Sequence, residues 1–134
     1  MRALSIRQPF AELILRGIKT FEYRSRRTSV IGERFWIYAS KKLIVDSGEL
    51  IAKAWSKDLE VAEPPAWLVE LGEQVGIIEK DALLPRGVIV GSAVIESVSQ
   101  IDSETFGWKI ADVRRAKKLR KPTGHPQPVW FRPW

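Results

Sequence analysis

Cysteine is absent from these 134 residues. Its absence excludes disulfides, thiolate metal sites and cysteine nucleophiles. A reduced, cytoplasmic setting fits a chain with nothing to oxidise. Histidine occurs once, as His125, inside a Pro- and Gly-rich stretch. One imidazole cannot build a histidine-rich metal site, and serine–histidine catalysis would have to use that residue. No run of about 18 apolar residues occurs, so neither a membrane span nor a membrane partner is expected. The opening residues lack a secretory-signal pattern, because Arg2 runs at once into strand-like residues and then Gln8-Pro9. No Gly-rich phosphate loop and no metal-ligand spacing is found, so no cofactor and no metal are implied. Acidic residues are the minority, 16 against 22 Lys and Arg, for a net charge of +6. A basic surface concentrates polyanions, and nucleic acid is the commonest cellular polyanion.

The length predicts one domain over residues 1–134. A chain of this size buries roughly two-thirds of its unfolded surface, enough for a self-sufficient core. Ala3-Leu4-Ser5-Ile6 reads as a first strand. Pro9 suits the first turn of a helix, with Phe10, Leu13 and Ile14 on one face. Gly17 is placed to end that helix in a left-handed cap. A second strand then runs to about Arg24, and residues 26–31 form a basic turn. Residues 34–39 are strongly β-prone, and Ser40-Lys41-Lys42 closes that strand. Ser47 is placed to cap a helix through about Ser56, with Leu50, Ile51 and Ala54 at core spacing. Residues 60–65 read as a surface connection and 67–72 as a short helix.

Pro85-Arg86-Gly87 reads as a turn into the longest strand, residues 88–98. Apolar residues occupy both of its faces, so it is expected to be central. Gly91 within it marks a bulge or a close backbone approach. Residues 106–113 form a further strand, 114–121 are basic, 122–128 are a loop and 129–131 a last short strand. The fold class expected is α+β, a small, partly closed β-barrel with two or three flanking helices. A doubly wound sheet would need regular strand–helix alternation, which the second half lacks.

Lys19, Glu22 and Arg24 form the densest chemistry-bearing group. Glu22 and Arg24 share one face of a strand. Lys19 has the wrong parity and joins them only if it lies in the turn after Gly17. Held together, Arg24 orients Glu22 and keeps it ionised, while Lys19 binds an anion or, desolvated, carries a proton or attacks as a nucleophile. A plainer alternative is a structural ion pair at the barrel mouth with Lys19 solvated. Glu96, on the face shared by Val94 and Val98, is a further acid–base candidate. The alternative there is a solvated carboxylate just beyond the buried part of the strand.

Arg114, Arg115, Lys117, Lys118, Arg120 and Lys121 place six cations within eight residues. Such a run binds phosphates without reading bases. Arg24, Arg26 and Arg27 form a smaller cluster that extends the same footprint, and Lys41 is a further phosphate candidate. Six tryptophans are many for this length. Trp36 is expected in the core. Trp108 and Trp130 flank the basic run, where indoles serve as platforms for bases. Trp55, Trp67 and Trp134 read as packing or surface contacts.

The stretch Ala3-Leu4-Ser5-Ile6-Arg7-Gln8-Pro9-Phe10-Ala11-Glu12-Leu13-Ile14, followed by Gly17-x-Lys19-x-x-Glu22-x-Arg24, resembles the opening of the ASCH family. Phe10 stands where many members carry tryptophan. Residues 37–42, 87–91 and 124–130 also resemble the family's next strand, central strand and closing segment, and the likeness is weakest from about Glu60 to Leu84. The resemblance implies a PUA-like barrel with a cleft beside the first helix, lined by Lys19, Glu22 and Arg24. It further implies binding of RNA or of a nucleotide or nucleoside, with a place in RNA metabolism. Some small relatives hydrolyse N4-acetylcytidine with lysine, threonine and glutamate. Lys19 matches that lysine and Glu96 is the match for the glutamate, but Glu22 occupies the threonine position. Other relatives resemble ribonucleases.

Overall fold

The computed structural model describes residues 1–43, 65–79 and 83–134, with the side chains of Lys42 and Leu43 left aside. The expected helix from Ser47 to Ser56, Trp55 and most of the connection from Glu60 lie outside the described residues. The chain order is β1 (Ala3–Gln8), α1 (Phe10–Leu15), β2 (Phe21–Arg24), β3 (Arg34–Leu43), α2 (Ala66–Ile77), β4 (Val88–Gln100), β5 (Phe106–Arg120) and β6 (Trp130–Phe131). Among the described residues no helix is long and apolar enough to cross a membrane.

The six strands form one curled sheet in the order β2-β5-β4-β3-β1-β6. Only β1 and β3 run parallel, Ala3 opposite Trp36 and Ile6 opposite Ala39; the remaining pairs are antiparallel. The sheet is a half-barrel with two helices, as the expected α+β class requires. Strand alternation explains the two faces. Leu4 and Ile6, Phe35 and Ile37, Val90 and Ile95, and Trp108 and Ile110 point inward with Ala11 and Ile14 of α1 and form the main core. Ala3, Tyr38, Ile89 and Phe131 form a smaller cluster on the outer face.

β4 lies between β3 and β5, and its residues 89–93 are buried in succession. A half-buried strand would alternate; a strand buried on both sides is apolar nearly throughout, and its one polar residue in that run, Ser92, accepts from Arg34. Gly91 sits at register shifts against both neighbours. A Cβ there would lie 2.5 Å from the Arg114 carbonyl oxygen and 2.7 Å from Leu15 Cδ2. Glycine is therefore a steric requirement, and α1 settles onto β4 through the space it leaves.

β5 is longer than expected, because the basic run continues the strand instead of leaving it. Two irregularities accommodate the extra residues. Asp112, at φ 48°, bulges between the pairs Ala111–Val94 and Arg114–Ser92. A second bulge lies between the pairs Arg115–Gly91 and Arg120–Ile89. β2 covers β5 only from Phe106 to Lys109. Beyond Ile110, whose N–H donates to the Thr20 carbonyl, no strand among the described residues lies on that side of β5. The basic half of β5 is thus a sheet edge.

Gly91→Ala is expected to destabilise the protein by about 1–3 kcal/mol, the usual cost of forcing atoms into a packed core. Urea denaturation of the two proteins measures it directly.

Candidate functional site

Lys19 is placed by the way α1 ends. Gly17, at φ 75°, supplies the left-handed residue. Its N–H donates to the Ile14 carbonyl at 3.0 Å, and that of Ile18 to the Leu13 carbonyl at 3.0 Å. This paired arrangement closes a helix C-terminus on glycine. The Lys19 N–H joins the Leu13 carbonyl as well, so Lys19 lies in the turn, two residues before β2 begins. Its side chain folds back onto the strand that follows. That resolves the parity conflict: Lys19 reaches Glu22 from the turn, while Arg24 reaches it along the strand.

Lys19 Nζ donates to Glu22 Oε1 at 2.9 Å and to the Phe21 carbonyl oxygen. Arg24 holds the other carboxylate oxygen through Nη2 at 2.7 Å and Nε at 3.1 Å. Arg24 Nη2 also donates to the Ser5 carbonyl at 2.7 Å, tying β2 to β1 across the open side of the half-barrel. The ammonium lies 5.3 Å from the Tyr23 ring and 5.8 Å from the Phe10 ring. Relative exposure is 3% for Lys19 and 6% for Glu22, against 20% for the Arg24 side chain. The three groups converge, but chiefly on each other. Arg24 is the member that meets solvent.

Burial drives the Lys19 pKa below its ordinary 10.5, against the pull of Glu22. Burial alone raises Glu22, but the charges of Lys19 and Arg24 more than reverse this and leave it below 4.5. A second carboxylate behaves alike. Glu12 of α1, 6% exposed, accepts Arg115 Nη1 and Nη2 at 2.9 and 3.0 Å and Arg16 Nε at 2.7 Å. The Arg115 hydrogen bonds are the main reason its pKa falls, and Arg16 adds to them. Gln8 Oε1 caps the Glu12 N–H at 3.0 Å. The sequence reading missed Glu12 as a site residue. The Glu12–Arg16 spacing of four was visible, but Arg115 is 103 positions away.

Three expectations change. Glu96 lies on the exposed, poorly covered end of β4, 3.7 Å from Lys109 Nζ, with over half its side chain in solvent; it belongs to no acid–base site with Lys19. Trp108 is core, at 2% exposure. Its Nε1 donates to the Arg26 carbonyl at 2.9 Å and its ring stacks on Trp130 at 6.1 Å, so no base can use it as a platform. Arg26 and Arg27 are exposed, with the Arg27 guanidinium 4.9 Å above Phe106. That is the opposite end of β5 from Lys117 and Lys118, roughly 30 Å of strand away at about 3.3 Å per residue. The two basic clusters do not merge. Lys41, Arg114, Arg115, Lys117 and Lys118 are exposed as expected. A depression of ≈ 310 Å³, lined by Arg2 and residues 29–33, shares no residue with the charged cluster.

Removing one partner of a buried ion pair strands the other charge, at a cost of about 3–5 kcal/mol. Glu22→Ala, which strands Lys19, is expected to cost that much. Lys19→Met keeps the apolar stem and leaves Glu22 with Arg24, so it should cost clearly less; equal losses in chemical denaturation would contradict this geometry. Both carboxylates have depressed folded pKa values, so their stabilisation is complete above about 4.5 and disappears as pH falls through the folded values. Lys19 adds a gain as pH climbs from its lowered value towards 10.5, where the unfolded chain holds the extra proton. Thermal melts from neutral to acid pH should therefore drop, with a shallower acid limb for Glu22→Gln.

The comparisons with known proteins fit this geometry. No curated protein matches the chain. The sequence pattern of the ASCH domain matches residues 4–121, which include β1 from Leu4, α1, the Lys19–Glu22–Arg24 cluster and all of β5. A match over most of its length, together with the half-barrel and the charged cluster beside α1, establishes that the chain belongs to the ASCH domain family.

Proposed function

We propose that this protein binds RNA, or a nucleotide, through the basic half of β5, with Arg24, the solvent-facing member of the charged cluster, as a separate contact. The observation that carries this reading is the state of the cations there. Lys117, Lys118, Arg120 and Lys121 are exposed, and none forms an ion pair with a described acid. The buried Lys19 and the exposed Arg115, by contrast, have carboxylate partners. Cations that no described acid pairs, on a flank that no described strand covers, are available to phosphates. Lys19 and Glu22 hold Arg24 in place from the buried side and contribute to binding through that geometry.

Single-stranded RNA affinity is expected to fall steeply between roughly 50 and 200 mM salt. The double variant Lys117→Gln, Lys118→Gln should weaken binding and reduce the salt slope by about 0.7 for each phosphate contact removed, with no change in thermal stability. Undiminished affinity and slope in the folded double variant would count against this surface.

A hydrolase is the second reading, favoured by one observation: burial pushes the Lys19 pKa down. An amine whose basicity burial lowers, held against a carboxylate, is the type of group that exchanges a proton or attacks, and N4-acetylcytidine or single-stranded RNA would be the substrate. Turnover lost in Lys19→Met supports it. Absence of turnover of both compounds by folded protein removes it.

A further inference from the structure

The face of the sheet opposite α1 carries its own arrangement. Arg34, Trp36 and Tyr38 alternate onto it along β3, with Trp36 opposite Ser92 and Ser92 opposite Arg114. The last residues fold over part of it. Phe131 meets Tyr38 edge to face at 5.2 Å, and Trp134 meets Trp36 the same way at 5.9 Å. The Arg120 guanidinium then stacks 3.9 Å from the Trp134 ring. Trp134 is nevertheless 47% exposed. Tryptophan packed only to fill a core does not keep half its surface in solvent; this indole is held in a set orientation and left accessible.

The charges around it are unbalanced. Asp112 accepts Arg34, whose guanidinium also donates to Ser92 Oγ at 2.9 Å and to the Asp112 carbonyl at 3.1 Å. Arg114 touches the same carboxylate only at 3.5 Å and is 67% exposed. Two arginines thus share one carboxylate, and Arg120 has no acidic partner among the described residues. Fixed indole, stacked guanidinium and spare cations match a ligand made of planar rings joined by phosphates. A stacked ring pairs with any base, and guanidinium groups hold the backbone.

We infer that this outer face is a second contact surface for single-stranded nucleic acid, with one base laid against the Trp134–Arg120 pair and a phosphate on Arg114. The inference rests on the nucleic-acid reading above and adds to it a base-dependent component, which the β5 edge lacks. The ligand would pass from Lys117 and Lys118 around the uncovered edge of β5 to Arg120 and Trp134.

The test uses the whole chain and a fluorescein-labelled oligouridine of roughly ten nucleotides, within the span one small barrel covers. Trp134→Ala should lower affinity about five- to a hundredfold, the range for loss of one stacked base. The salt slope should stay unchanged, because stacking displaces no counterion. Arg120→Gln should lower both affinity and slope. A base-free polyanion, inorganic polyphosphate, should bind wild type and Trp134→Ala alike. Should Trp134→Ala prove unfolded by circular dichroism, Arg120→Gln and the smaller oligouridine-induced fluorescence quenching of Trp134→Phe carry the test. Weakening by the Lys117, Lys118 double variant but by neither Trp134 nor Arg120 variants overturns the outer-face inference and leaves the β5 reading standing. Absence of any oligouridine binding by wild type overturns both.

Discussion

A carboxylate taken out of water has to be answered by charge, and Glu22 is answered twice. Lys19 and Arg24 each take one of its oxygens. This is expensive to arrange, because three ionic groups lose hydration together. What it secures is position. Lys19 comes from the end of α1, Glu22 from β2, and Arg24 continues to the Ser5 carbonyl on β1. One carboxylate therefore joins the helix to two strands that are not neighbours in the sheet, and closes the half-barrel where backbone pairing stops.

The same economy separates two kinds of cation. Arg115 and Arg114 are consecutive, so strand alternation sends them to opposite faces. Arg115 turns inward to Glu12 on α1; Arg114 turns outward beside Asp112. Beyond them the bulge in β5 releases the remaining cations from strict alternation. Structural arginines and ligand-accessible ones are distinguished by whether a buried acid lies within reach, a property of packing that charge counting cannot supply.

That difference describes how much could be read from the chain alone. Gly17, Gly91 and the doubly apolar strand around Gly91 were legible, because steric and periodic rules act over a few residues. So was the convergence of Lys19, Glu22 and Arg24, given a turn after Gly17. The fate of Trp108 was not: its burial depends on Trp130 and on the Arg26 carbonyl, which only the folded sheet brings near. Glu96 misled because alternation is local while cover is not. Its strand outruns the helices and strands that would bury it. The role of Glu12 was hidden by the distance in sequence to Arg115, and the length of β5 by residues that look like a solvated tail but continue to pair with β4 from Arg114 to Arg120.

The flank of β5 that no described strand covers has one more meaning. Unpaired backbone N–H and C=O groups on a strand invite any other strand to add itself. Lysine and arginine along that flank repel a second copy of the same strand, since like charges would meet across the junction. Those cations are thereby a guard against self-assembly through this flank. Neutralising them by mutation removes the repulsion and leaves the flank open to strand addition.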